Sequence, residues 1–169
     1  VRATPLDLQL IRHRGPDSSG EWTSPDGRCW LGSTRLAIVD LSPTGAQPMT
    51  DPVTGNVIVV NGEIYNHQEL RAQLGPDVNW RGTSDTETLL LGYARWGHDV
   101  LTHLKGMFAF AIFDAARGEL FLARDRLGMA QQGHAERLGD AFGGDVVMRG
   151  ADAAGGEYIV EFGANLVDR

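Results

Sequence analysis

Cysteine is nearly absent: the 169 residues hold one, Cys29. A single thiol permits no internal disulfide and fits a reducing compartment, so a cytoplasmic setting is the expectation. Long apolar runs are missing as well. The longest, Met107 to Phe113, is far shorter than the roughly 20 residues of a membrane helix. The first residues lack the charged-then-apolar pattern of a secretory signal. Clusters of positive charge are also missing. With 15 Lys+Arg against 22 Asp+Glu and a net charge of -7, the balance argues against nucleic acid or an anionic membrane as partner. The five histidines, at 13, 67, 98, 103 and 134, show no close metal-ligand spacing, so no metal is expected. Neither phosphate-cradling glycine motif occurs, G-x-x-x-x-G-K-[ST] or G-x-G-x-x-G.

What is present is enough for a core. A chain of this length buries roughly 70% of its unfolded surface. Thr4-Pro5, with Leu6, Leu10 and Ile11 behind it, reads as a short helix capped by Thr4 and ended by the loop His13 to Asp17. Gly20 to Thr23, Cys29 to Ser33 and Leu36 to Val39 read as strands, and Ser42 to Thr54 as loop. The β-branched run Val57 to Val60 predicts a strand buried on both faces. A helix then follows, capped by Asn66 and ended by Gly75. Ser84-Asp85-Thr86-Glu87 has capping-box spacing and opens a second helix through Trp96, with Gly97 as its stop. Val100 to Leu104 suggests a shorter one closed by Gly106. Phe108 to Phe113, turning through Ala115 to Gly118 into Leu120 to Ala123, is a hairpin apolar on both faces. Such a strand needs cover on each side, which predicts an α+β fold of stacked antiparallel sheets with helices outside.

Residues 130 to 169 differ in character, with eight glycines and seven acids against three bases. We read them as a divergent Gly-rich acidic tail of unknown role, separate from a domain over 1–129. Val146 to Met148 and Tyr158 to Val160 are candidate short strands within it.

Five short constellations carry possible chemistry, and each also has an ordinary structural explanation. Gly15-Pro16 is a common turn. Arg35 in a strand can lay its stem on apolar surface. Asn61-Gly62 is a hairpin signal, but the segment after it is helical and no second strand completes it. Ser84 to Glu87 is fully explained as a helix start, and Arg124-Asp125-Arg126 as a surface ion network.

Taken in order, these pieces resemble the glutaminase domain of asparagine synthetases, a class II glutamine amidotransferase of the N-terminal-nucleophile hydrolase superfamily. The matching motifs are His13-Arg-Gly-Pro-Asp17, Arg35-Leu-Ala-Ile-Val-Asp40, Gly45-Ala-Gln-Pro48, Asn61-Gly-Glu-Ile-Tyr-Asn66, Ser84-Asp-Thr-Glu87, Gly106-Met-Phe-Ala-Phe110 and Arg124-Asp-Arg-Leu-Gly128. The resemblance implies an α/β/β/α sandwich. It implies that Arg35 holds the α-carboxylate of L-glutamine and that Glu63 and Asp85 meet the α-ammonium. The side-chain amide of Asn61 and the backbone N–H of Gly62 would form the oxyanion hole. Ammonia released from glutamine would pass to a synthetase domain that uses ATP and magnesium to convert aspartate to asparagine.

Two departures shape the expectation. The family's nucleophile is a cysteine at the mature N-terminus whose own α-amino group serves as base, whereas residue 1 here is Val1. His13 to Asp17 also comes early, which implies an incomplete first strand. Cys29, mid-chain and without an α-amino group, reads as a small core residue. After Gly128 the family pattern gives way to Met129-Ala-Gln-Gln-Gly-His134, and the synthetase signature S-G-G-x-D-S does not occur. The expectation is therefore a glutaminase-like chain with the substrate-side half of the site, lacking nucleophile, synthetase domain and cofactor, and inactive alone. The alternative is a non-catalytic glutaminase-like domain kept for structure or partner contact.

Overall fold

The computed structural model describes residues 5, 7–36, 42–125, 146–151 and 157–161. Two antiparallel four-stranded sheets stack on one another. The first has the order β1-β2-β7-β8, with β1 over Ser18–Thr23, β2 over Trp30–Arg35, β7 over Val146–Ala151 and β8 over Glu157–Glu161. The second has the order β3-β4-β5-β6, with Met49–Thr50, Val57–Ile64, Gly106–Asp114 and Glu119–Arg124. Helices α1 (His67–Leu74), α2 (Asp85–Trp96) and α3 (Val100–His103) cover the outer face of the second sheet. A 3-10 helix, Leu8–Arg14, covers the first through Leu8 and Ile11 packed with Trp30.

The alternation of β5 explains this layering. Phe108, Phe110 and Ile112 point toward the helices and join Ile58, Leu89 and Tyr93. Ala109, Ala111 and Phe113 point the other way and join Leu31, Val57 and Val59 between the sheets. Successive side chains of a strand face opposite sides, so large residues fill the deep helix-side core while the alanines let the sheets approach. Both faces of the hairpin are covered, as its composition requires.

Several boundaries differ from the sequence reading. The cap of the first helical segment is Asp7, whose carboxylate accepts the Gln9 N–H at 2.9 Å; Thr4 lies outside the described residues, as do 37–39 of the strand expected over Leu36 to Val39. The Ser42 to Thr54 loop contains a 3-10 turn, Pro43–Gly45, and the short β3. Asn66 holds the N-cap position of α1, as expected, but its side chain makes no capping hydrogen bond. Its Nδ2 donates to the His103 carbonyl and its Oδ1 accepts from the Lys105 N–H, both at 2.9 Å, so one amide satisfies two groups of the α3–β5 connection. Gly106 does not close α3 but opens β5. A Cβ there would run into the Glu63 carbonyl oxygen, so close approach of β4 demands the glycine.

Candidate functional site

The Asn61-Gly62 pair lies inside β4, not in a turn after it. Strand pairing continues past the pair, with Asn61 opposite Ala109 and Gly62 opposite Phe108. The hairpin signal loses because β5 offers a full ladder on that side. The local geometry is still unusual: Gly62 has φ +116°, and a Cβ there would run into the Met107 carbonyl oxygen and lie 2.8 Å from Phe108 Cα. Only glycine satisfies both constraints. Next to it Asn61 is buried, and its Nδ2 has no hydrogen-bond partner among the described residues. A buried amide donor without an acceptor costs roughly 1–3 kcal/mol, which makes Asn61 a candidate for meeting a ligand.

Asp85 reaches the same strand from α2. As first helical residue it sits at the positive end of the helix dipole, behind a cap in which Ser84 Oγ accepts the Glu87 N–H at 3.1 Å. Its Oδ2 accepts the Ile64 N–H and its Oδ1 the Thr86 N–H, both at 2.9 Å. An ionised carboxylate has about four acceptor positions, so two remain for a ligand. Glu63 lies between Gly62 and Ile64 and is exposed.

Glu87 does not complete the capping box by returning to the Ser84 N–H. Buried, it accepts from the Arg81 N–H at 2.7 Å, the Gly82 N–H at 3.0 Å and Arg71 Nη2 at 3.2 Å. Arg71 also donates to the Gly82 and Ser84 carbonyls and stacks over Trp80 with its guanidinium carbon 3.9 Å from the ring centroid. This pair fixes the loop that delivers Asp85; no local sequence pattern marks Arg71 for that task.

Arg35 ends β2, half-buried, with Nη1 donating to the Ser42 carbonyl at 3.2 Å. The Gly15-Pro16-Asp17 loop lies on its backbone: Pro16 bridges Arg35, and the Asp17 N–H donates to the Arg35 carbonyl at 3.1 Å. A Cβ on Gly15 would run into the Thr34–Arg35 peptide. The motif that reads as a turn is thus the seat of the arginine.

Strand registers set Arg35 relative to Asn61. Trp22 packs on Phe113 with ring centroids 4.9 Å apart, and these two pair with Leu31 and Val57 in their own sheets. Four residues further along β2 and β4 come Arg35 and Asn61. Gly20, opposite Ser33, abuts the Gln47 carbonyl, and Gln47 bonds Val60, so the two strands keep step. Leu31 and Arg35 share a face of β2, as Val57 and Asn61 do of β4, and Leu31 and Val57 belong to the core between the sheets. Arg35 and Asn61 therefore lie at the same end of the sandwich.

Cys29 lies at the other end. It is buried in the core between the sheets, six residues before Arg35, roughly 20 Å along an extended chain. Burial, helped by the Asp26 charge, pushes its thiol pKa up to about 12. Such a group stays protonated near neutral pH and is a poor nucleophile.

Stacked antiparallel sheets of this kind are found in the glutamine phosphoribosylpyrophosphate amidotransferase of Bacillus subtilis, which matches 79% of this chain with a TM-score of 0.51 at 22% identity, over 35% of its own length. The two chains share a fold. The profile of the glutamine amidotransferase domain family matches residues 5–142, and the chain belongs to that family.

Among curated relatives, the asparagine synthetase B (glutamine-hydrolysing) of Escherichia coli is 43% identical over 76% of this chain and 23% of its own length. Asparagine synthetase (glutamine-hydrolysing) 3 of Bacillus subtilis is 44% identical over 70% and 19%. The amidase chry2 of Gibberella zeae is 44% identical over 76% and 19%. The chain thus spans about a fifth of the length of these relatives. No helix of the described residues is long and apolar enough to cross a membrane.

Proposed function

We propose that residues 1–129 supply the substrate-binding and oxyanion-stabilising half of a glutaminase site that feeds ammonia to ATP-dependent asparagine formation from aspartate. The observation that carries this reading is the buried Asn61 Nδ2, a donor with no acceptor among the described residues, beside the Gly62 backbone. An amide donor of this kind, next to a backbone N–H on the same strand, suits a carbonyl oxygen that becomes negative in the transition state.

In this reading Arg35 pairs with the α-carboxylate of L-glutamine through its planar fork. Asp85 and Glu63 accept from the α-ammonium. A thiolate adds to the side-chain amide carbon, and the resulting oxyanion takes hydrogen bonds from Asn61 Nδ2 and the Gly62 N–H. The tetrahedral intermediate then expels ammonia as its nitrogen takes a proton, and water releases glutamate from the acyl-enzyme. Cys29 is not the attacking group, given its position and its raised pKa. The sulfur belongs to a cysteine that this sequence does not contain. ATP and magnesium act at a synthetase portion outside this sequence, and no residue of the glutamine cradle is assigned to them. Strands β7 and β8 extend the sheet that carries Arg35, and no residue after 129 is assigned to the glutamine cradle.

Calorimetric titration with L-glutamine tests the proposal. Binding lost in Arg35→Ala supports it; no binding by the unmutated chain refutes it. The chain alone should release no ammonia from glutamine. Where the coding sequence upstream of Val1 opens in frame with Met-Cys-Gly, the complete product should release ammonia, and Asn61→Ala should lower its rate about 10²- to 10³-fold. A stop codon directly upstream of Val1 would favour the non-catalytic, partner-binding alternative.

A further inference from the structure

We infer that Gln47 is a positioning residue that sets the span between the two ends of the amino-acid cradle, and with it selectivity for side-chain length. The inference rests on the glutamine reading above. Gly45-Ala-Gln-Pro48 is among the motifs that this reading leaves without a task.

The register of β3 on β4 pairs Met49 with Ile58 and Thr50 with Val57. Continued by two residues, it would bring Gln47 opposite Val60. The backbone ladder stops short of that point, and the side chain takes over: Gln47 Oε1 accepts the Val60 N–H at 2.7 Å. The other end of the same amide, Nε2, donates to Thr86 Oγ1 at 3.4 Å. Only the amide oxygen can accept from a backbone N–H, so this orientation of the side chain is fixed by its partner.

Val60 directly precedes Asn61, and Thr86 directly follows Asp85. One primary amide therefore ties the neighbour of the oxyanion donor to the neighbour of the ammonium acceptor. On the opposite side the Gln47 backbone is wedged against β1, because a Cβ at Gly20 would run into the Gln47 carbonyl oxygen. The bridge is backed by the first sheet, which blocks its retreat. Glutamine and asparagine differ by one methylene, so a cradle of fixed span distinguishes them, and a looser one distinguishes them less.

The test uses the full chain, with L-glutamine and L-asparagine as titrants and thermal unfolding as a control. The unmutated chain should prefer glutamine. Gln47→Leu removes both bonds, and should weaken glutamine roughly five- to tenfold while narrowing the preference over asparagine. Thr86→Val removes only the second bond and should fall between. Gln47→Glu keeps the acceptor for Val60, and the Thr86 hydroxyl can turn to donate to it, so it should recover most of the selectivity.

Unchanged affinity and selectivity in folded Gln47→Leu would overturn the inference while leaving the glutamine reading intact. So would an equal loss for both amino acids accompanied by a lowered unfolding temperature, which is the mark of a merely structural role. Absence of glutamine binding by the unmutated chain would remove both readings. Should Gln47→Leu fail to fold, Thr86→Val against Gln47→Glu decides the matter by the same criteria.

Discussion

The Ile64 amide donates to Asp85 Oδ2 at 2.9 Å, joining the last residue of β4 to the first residue of α2. A strand amide that would otherwise seek a carbonyl is satisfied by a carboxylate already favoured at a helix N-terminus. The bond makes the strand bearing Asn61 and Gly62 and the helix bearing Asp85 one mechanical unit. Gln47 adds a second tie between them, four residues earlier on β4.

Gly62→Ala should be severely destabilising. The new methyl meets the Met107 carbonyl, and φ +116° is disfavoured for any L side chain. A loss of about 2 kcal/mol or more is expected in urea-induced unfolding. A variant of unchanged stability would mean that β4 and β5 are not so close.

Asn61→Leu should behave in the opposite way. Removing a buried donor that has no partner among the described residues, with a side chain of similar volume, is expected to be neutral or to stabilise by up to about 1 kcal/mol. Equilibrium unfolding measures this directly; a loss of several kcal/mol would show that the amide serves the fold.

Cys29 should resist modification. With its pKa pushed up to about 12, roughly one thiol in 10⁴ is ionised at pH 8. A chromogenic disulfide reagent should label the native chain only at the rate of unfolding, and rapidly in denaturant. Fast labelling of the folded protein would contradict both the burial and the exclusion of Cys29 as nucleophile.

Asp114 should make stability fall in acid. Burial alone would raise its pKa from 3.8, but the Arg117 and Ala116 amides, the Tyr93 hydroxyl and the Arg117 guanidinium together hold it below that value. A carboxyl depressed on folding contributes stability that is complete above its unfolded pKa and is lost as pH falls through the folded one. Below about pH 4 the native protein should therefore weaken more steeply than Asp114→Asn, as read from unfolding midpoints across pH. Parallel profiles would show that Asp114 gains nothing from its partners.

The parts of this fold legible in the sequence are those governed by periodicity. The β5–β6 hairpin shows in the Phe-Ala alternation from Phe108, and α2 shows in Ser84 and the apolar stripe behind it, because each signal lies within a few residues of what it specifies. Long-range competition hides the rest. Asn61-Gly62 carries a hairpin signal whose outcome only the pairing of Gly62 with Phe108 decides, and the Asn66 side chain turns from the helix it precedes to the Lys105 amide. The candidate site divides in the same way: Asn61, Gly62, Glu63, Arg35 and Asp85 stand out from their motifs. The bridging of Gln47 and the clasp of Arg71 on Glu87 depend on contacts 13 to 39 residues apart, which no local pattern carries.

Gly62 also limits how this end of β4 can diversify. Every L side chain there is both misdirected by the backbone and obstructed by the neighbouring strand. Mutation cannot tune this point by degrees. A descendant with a different surface here would have to change through its neighbours, with the glycine carried forward as a fixed inheritance.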